Sequence, residues 1–243
     1  MTTRRIMATS GGFVPGDRYS SPKPGETMRR LLELTGKTRP TLTLVMTASG
    51  DDRSYLTRSY AAFRGWSVDV QHLELFPMPN AEPAELIGSS DAVWVGGGSV
   101  ANLLQLWRLH GLDDLLREAW ERGVVLGGVS AGSICWHEGG TTDSFGPELR
   151  LVTDGLGFLP YGNGVHYDSE EQRRPLVQSL VADGSLGTTY CTDDYVGLLY
   201  EDTEPVEVIV DREGDDDKQP MAYRVERVGG EVIETALPAG VLR

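Results

Sequence analysis

Ser130 stands in Gly128-Val129-Ser130-Ala131-Gly132, directly after the apolar run Val124–Val129. A Gly-x-Ser-x-Gly turn between strand and helix forces its serine into a strained, exposed position, and small neighbours are required because backbone approaches backbone there. The helix that follows would aim unpaired N–H groups and partial positive charge at the serine. An anionic tetrahedral intermediate could be stabilised at that spot, with the Ala131 N–H as one donor. The plainer alternative is a glycine-rich turn whose serine merely caps a helix. A second turn of the same kind, Gly96-Gly97-Gly98-Ser99, can be read as further backbone donors completing an oxyanion hole, as an anion cradle, or as tight strand–helix packing. No lysine follows it and the spacing is not that of a P-loop, so nucleotide binding is disfavoured.

A nucleophilic serine needs a base, and the chain offers four histidines. His137 is expected on the helix that Ser130 opens, roughly 10 Å further along its axis and out of reach. His110 precedes Gly111 at a helix end, where an imidazole meets the C-terminal dipole. His72 falls in a strand. His166, in the polar, glycine-rich stretch Gly162–Asp168, is favoured by elimination and by its loop context, since catalytic groups gather on loops at strand ends. The acid partner stays open among Asp143, Asp193 and Asp194. A serine followed closely by its histidine also disfavours the α/β-hydrolase order, in which the acid precedes a distant histidine.

The elements that must hold these residues alternate through the first two-thirds of the chain. Arg5–Ala8, Thr41–Thr47, Val68–Leu75, Ala92–Val95 and Val124–Val129 read as strands; Glu26–Thr35, Tyr55–Phe63, Val100–Leu109 and Asp113–Glu121 read as helices, the first with Met28, Leu31 and Leu32 at helical spacing and Leu34 off that face. This alternation defines an α/β protein with a parallel sheet covered on both faces. After a helix near Arg173–Val181, the segments Val196–Tyr200, Glu207–Val210, Ala222–Val225 and Glu231–Thr235 read as antiparallel strands, and the acidic run Asp211–Asp217 as a solvated turn. No repeat or linker divides the 243 residues, so a single domain is expected.

Composition narrows the partners. With 36 acidic and 22 basic side chains the formal charge is -14, which argues against nucleic acid and anionic membrane surfaces. No apolar run approaches the roughly 18 residues of a spanning helix, and the N-terminal segment has no apolar core of a signal peptide. Two cysteines, Cys135 and Cys191, make no disulfide framework, which fits a reducing, cytoplasmic setting. Scattered histidines without ligand spacing indicate neither metal nor cofactor. An exposed apolar sheet edge would allow a homodimer, and no segment singles one out.

The segments Val95–Ser99, Gly127–Trp136, Glu138–Gly146, Leu159–Pro175 and Thr192–Tyr200, in that order, resemble the peptidase E family of serine dipeptidases, which includes α-aspartyl dipeptidase and has cyanophycinase as a relative. The resemblance covers nearly the whole chain. It implies a flavodoxin-like three-layer α/β sandwich related to class I glutamine amidotransferases. It also implies Ser130 as nucleophile, His166 as base, and Asp194 as triad acid where the family commonly has Glu. Asp143 matches a second acidic position proposed for the triad, and Gly98 and Ala131 would supply oxyanion-hole N–H groups. Gly97, Ser99, Glu170 and Arg173 would border the substrate. Ser99 departs from the Asn usual after the glycine run. Glu170 stands near where aspartyl dipeptidases carry an arginine that grips the substrate Asp; a carboxylate there would repel an acidic side chain, and Arg173 or Arg174 could substitute. The expected activity is serine exopeptidase hydrolysis of short peptides with a free N-terminus, without strict Asp specificity. The alternatives are a cyanophycinase-like or small-esterase hydrolase, and a non-catalytic module binding a small anion.

Overall fold

The computed structural model describes residues 2–16, 21–212 and 219–242. Strand β1 (Arg5–Thr9) leads through a small hairpin, β2 (Phe13–Pro15) and β3 (Pro22–Pro24), into helix α1 (Glu26–Glu33). Then follow β4 (Thr41–Val45), α2 (Arg53–Ala62), β5 (Asp69–Leu73), α3 (Pro83–Gly88), β6 (Ala92–Val95), α4 (Val100–His110), α5 (Leu112–Arg122) and β7 (Val125–Val129). A four-residue helix, α6 (Ala131–Ile134), precedes β8 (His137–Thr142), β9 (Arg150–Val152), β10 (Leu159–Gly164), α7 (Arg173–Asp183) and β11 (Thr189–Thr192). The last strands are β12 (Val196–Glu201), β13 (Glu204–Val210), β14 (Ala222–Val228), β15 (Glu231–Leu237) and β16 (Gly240–Val241).

The main sheet runs β16-β13-β12-β1-β7-β6-β4-β5. Its β1-β7-β6-β4-β5 portion is parallel throughout, and β12, β13 and β16 extend it antiparallel. The apolar runs of the parallel strands are buried because helices cover both faces. On one face α1 seats Met28, Leu31 and Leu32, and α2 seats Leu56, over Met7, Leu42, Leu44 and Trp94. On the other, Trp107 of α4 and Trp120 of α5 pack over Ile6, Val93, Val95 and Leu126. Helix ends follow their local chemistry: Ser99 caps α4 by accepting from the Asn102 N–H, and Gly111 and Gly123 close α4 and α5 in the left-handed conformation that glycine adopts without steric cost. The α/β sandwich with a mostly parallel sheet agrees with the sequence reading.

Two features depart from it. The carboxy-terminal strands pair antiparallel as read, but they are divided between two sheets: β12 and β13 extend the main one, while β14 and β15 join β11, β10, β8 and β9 in a second, six-stranded sheet. Tyr190 and Tyr161 of that sheet meet Tyr200 of β12 in edge and stacked contacts that bind the two sheets together. The second departure concerns the segment after Ser130. Its helix ends by Cys135, and His137 opens β8 rather than riding the helix. The reason is packing: the chain must turn so that Gly139 and Gly140 lie against the backbones of Val152 and Asn163, approaches that a Cβ would block.

Candidate active site

Four parallel strands, β1, β4, β6 and β7, end side by side, with Thr9 level with Val129 and Val95 level with Gly128. Carboxyl ends of parallel strands are where open α/β sheets bind ligands. Ser130 leaves β7 with φ 56 and ψ -115, a left-handed conformation that a serine adopts only under constraint. The constraint is visible on both sides. The Ser130 N–H donates to Thr9 O (3.1 Å), while Ser130 O accepts from the N–H groups of Ser133 and Ile134. A Cβ on Gly128 would lie 2.4 Å from Gly132 O, and one on Gly132 2.3 Å from Val95 O, so both glycines of the motif are sterically required. The Ala131 and Gly132 N–H groups, first in α6, have no intrahelical acceptor.

The glycine turn after β6 lies directly against this elbow. A Cβ on Gly97 would stand 3.3 Å from Ser130 Cβ and 3.9 Å from its Oγ. Gly98 has φ +138 and presses on Ala48 O, where a Cβ would approach to 2.2 Å. The Tyr55 phenol faces the Gly97 N–H; burial raises that phenol's pKa, and the Gly97 hydrogen bond and the Arg58 charge act against the rise. The Ser99 hydroxyl is engaged in capping α4.

His166 follows β10, also with positive φ (52). Its N–H donates to Ser10 Oγ (2.9 Å), and its Nδ1 meets Asp194 Oδ1 at 2.5 Å. That bond holds the Asp194 carboxyl below the ordinary carboxylate range against the opposing effect of partial burial. The Asp194 N–H in turn donates to Asp168 Oδ1 (2.8 Å). Because Thr9 receives Ser130 and Ser10 receives His166, two consecutive residues at the end of β1 place serine and histidine at one sheet edge. His166, Asp194, Val129 and Ser10 line a cleft of about 870 Å³ whose opposite wall is the β2–β3 hairpin with Tyr55 and Arg58 of α2.

The remaining candidates lie elsewhere. Asp143 lines a separate cavity with Glu170, Glu171 and Gln172. The Glu170 N–H donates to His166 O, but its carboxylate turns to Arg173 Nη2 (2.5 Å). Arg173 is buried, its guanidinium tied also to Thr141, so it is not presented to the cleft containing His166. Arg174 pairs with Glu234 (3.3 Å) and lies over Tyr167 and Tyr223. Asp193 is buried and receives the N–H of Met221. His137 is wholly buried, with Nδ1 on Ser133 O and its ring edge-on to Tyr200; burial lowers its pKa to about 4. It is excluded by burial rather than by distance along a helix. His72 bonds the Tyr60 hydroxyl, and His110 sits at the end of α4 as expected. Cys135 and Cys191 are free and buried, and burial raises both thiols. Among the described residues no group of three or more His, Cys, Asp or Glu is placed to hold a metal.

Ser10, Tyr55, Arg58, Asp168 and Asp211 escaped sequence reasoning. Asp168 was within sight, in the His166 loop. Asp211 belonged to a run read as a solvated turn, much of which (213–217) lies outside the described residues. Asp211 itself is a half-buried anchor: its carboxylate receives the N–H groups of Gly12 (2.5 Å) and Thr27 (2.7 Å) and the Thr27 hydroxyl.

A strained serine between a parallel strand and a short helix, and a histidine–carboxylate pair, are thus both anchored at the carboxyl end of β1 in an α/β sandwich. Residues 6–208 match the family model for Peptidase family S51, and the chain belongs to that family. It is 38% identical over 212 residues, 87% of this chain and 89% of the other, to an uncharacterised peptidase, YgaJ, of Bacillus subtilis (strain 168). Two solved structures share the fold. One, a candidate peptidase E protein from Listeria monocytogenes EGD-e, has TM-score 0.61 and 18% identity over 88% of this chain and all of its own. The other, a peptidase from an acI-B1 actinobacterium, has TM-score 0.69 and 15% identity over 98% of this chain and 95% of its own. The protein is therefore a peptidase. No helix among the described residues is long and apolar enough to cross a membrane.

Proposed function

We propose that this peptidase is of serine type and hydrolyses short peptides with a free N-terminus through an acyl-enzyme. Ser130 attacks the first peptide carbonyl while His166 takes its proton. Asp194 fixes the imidazole through Nδ1, so that the other ring nitrogen is the one that works on the serine. The N–H groups of Gly98 and Ala131 receive the oxyanion, and His166 then returns the proton to the leaving amine. Water, activated by the same histidine, releases the acyl group.

The observation that carries this reading is the joint anchoring of Ser130 and His166 on Thr9 and Ser10, with the His166–Asp194 bond at 2.5 Å. The cleft volume of about 870 Å³ suits a di- or tripeptide rather than a folded protein. Asp194 is preferred to Asp143 as the acid because it alone touches His166.

The test compares wild type, Ser130→Ala, Asp194→Asn and Asp143→Asn on a dipeptide panel by amine release. Ser130→Ala should abolish turnover, Asp194→Asn should reduce it by about 10²-fold or more, and Asp143→Asn should retain it. Undiminished turnover by Ser130→Ala would remove the serine reading. A phosphonate adduct found by mass spectrometry on any residue but Ser130 would do the same.

A further inference from the structure

The glycine turn after β6, Gly96 to Ser99, carries four backbone N–H groups, and three of them are used inside the protein. Gly96 donates to Val45 O (2.9 Å) and Ser99 to Ala48 O (2.8 Å), both backbone acceptors. Gly97 is hydrogen-bonded to the Tyr55 phenol, the one side chain among the three acceptors. The Gly98 N–H has no acceptor among the described residues, and Gly98 is exposed where Gly96 is buried. The turn thus keeps one donor open, on the residue next to a glycine that is packed against Ser130.

Three consecutive glycines lack the Cβ that restricts φ and ψ, so the direction of that open donor is not set by the sterics of the turn itself. It is set from outside, by whatever holds the peptide planes on either side. Ala48 O holds the Gly98–Ser99 plane, and the Tyr55 hydroxyl holds the Gly96–Gly97 plane. The Gly97–Gly98 plane, which carries the open N–H, hangs between them. Tyr55 is itself well fixed. Its N–H donates to the Asp52 carboxylate that caps α2 (2.6 Å), and Ser59 Oγ donates to its carbonyl (3.0 Å). The half-buried ring lies on Gly96, where a Cβ would come within 3.1 Å of Tyr55 Cε1 and 2.5 Å of Met46 Sδ.

We propose that Tyr55 is a positioning residue for acyl transfer: by accepting the Gly97 N–H, it fixes the glycine turn so that the Gly98 N–H points at the oxyanion formed when Ser130 attacks. The inference rests on the serine-peptidase reading of the same site and adds to it a residue of α2, far from Ser130 in sequence. Tyr55 does not meet the oxyanion; it acts through the turn. Its effect is therefore felt as negative charge develops on the carbonyl oxygen, and binding of the uncharged ground state is left to the rest of the cleft. Tyr55 also lines the cleft, and the test separates positioning of the turn from direct contact with the peptide.

Tyr55→Phe removes the hydroxyl and keeps the ring on Gly96. Wild type and variant are compared for kcat and KM on the dipeptide that the wild type cleaves best, and for inhibition by the amino aldehyde of its N-terminal residue. Ser130 Oγ adds to the carbonyl carbon of that aldehyde, giving a tetrahedral adduct whose oxygen stands where the oxyanion would. Tyr55→Phe should lower kcat about 10-fold, a part of the roughly 10²–10³ that loss of a whole oxyanion donor costs, and weaken the aldehyde by a similar factor. KM should stay within about two-fold, as should the calorimetric Kd of the same dipeptide for Ser130→Ala with and without Tyr55→Phe. An unchanged kcat, a rise in KM or Kd that accounts for the loss, or an aldehyde bound equally by both proteins would each overturn the proposal. Absence of turnover by the wild type, or turnover that persists in Ser130→Ala, would instead overturn the serine-peptidase reading, and this inference with it.

Discussion

Ser130 is where local strain and the proposed chemistry meet. Its φ of 56 with ψ -115 is a conformation glycine adopts freely and other residues at a cost of order 1–3 kcal/mol. Replacing it by glycine should therefore raise stability by about 1 kcal/mol, or roughly 2–4 °C in Tm, while abolishing activity. Thermal melts of the two proteins check this, and a glycine variant no more stable than wild type would mean the turn is relaxed. At Asp194 the sign of the pH effect follows from a lowered carboxyl pKa. The stability of the His166 pair is present above the unfolded carboxylate value and is lost as pH falls through the lower folded one. The pairing of His166 with Asp194 could not be chosen from sequence, where Asp143, Asp193 and Asp194 are equivalent loop or turn acids. Ser130 was legible because its motif is local, five consecutive residues after an apolar run.

At the scale of elements, the two glycine turns fix the distance between β6, β7 and α6. Gly128→Ala would drive a methyl group to 2.4 Å from Gly132 O and 2.7 Å from Val95 O, both backbone atoms. A loss of about 2–3 kcal/mol in denaturant unfolding is expected, with activity falling as the elbow shifts. Strand β8 supplies a different test. His137 is buried with a pKa lowered to about 4, so the folded state excludes a proton that the unfolded chain takes up near 6.5. Stability should be fully present above pH 6.5 and fall as pH drops toward 4, by up to about 3 kcal/mol from this group. His137→Asn should flatten that stretch of the stability curve, whatever its effect at neutral pH. The strands and helices of the parallel half were readable from the periodicity of their apolar residues. Strands β8 and β10, with the sequences HEGGTT and LPYGNG, were not, because glycine-rich strands carry no alternation and owe their form to neighbours.

Across the whole molecule, Asp211 ties together parts of the chain that are remote in sequence. From the end of β13 it receives Gly12 in the β1–β2 connection and Thr27 in the first turn of α1, a helix whose own N-cap, Gly25, offers no side chain. It is a helix cap delivered from the far end of the protein. Asp211→Ala should cost about 1–3 kcal/mol and lower kcat/KM by loosening the hairpin wall of the cleft, while Asp211→Asn, which keeps an acceptor, should lose less. Paired unfolding and activity measurements distinguish this from a role in chemistry, since a residue acting only through the wall should spare the labelling of Ser130 by a phosphonate.

The sequence by itself determined what is local or periodic: the parallel strands and their helices, the serine elbow, the second glycine turn, and His166 as the favoured histidine. All but the last, which was reached by elimination, are written within a few residues, because helix and strand periods and steric demands on turns act over that range. Only the tertiary structure decided which carboxylate meets His166 and that Arg173 is buried on Thr141 and Glu170. The same holds for the placing of Arg58 in the cleft and for the division of the late strands between two sheets. Those outcomes depend on contacts between residues far apart in sequence, where many pairings satisfy the same composition and the packing of two sheets selects one.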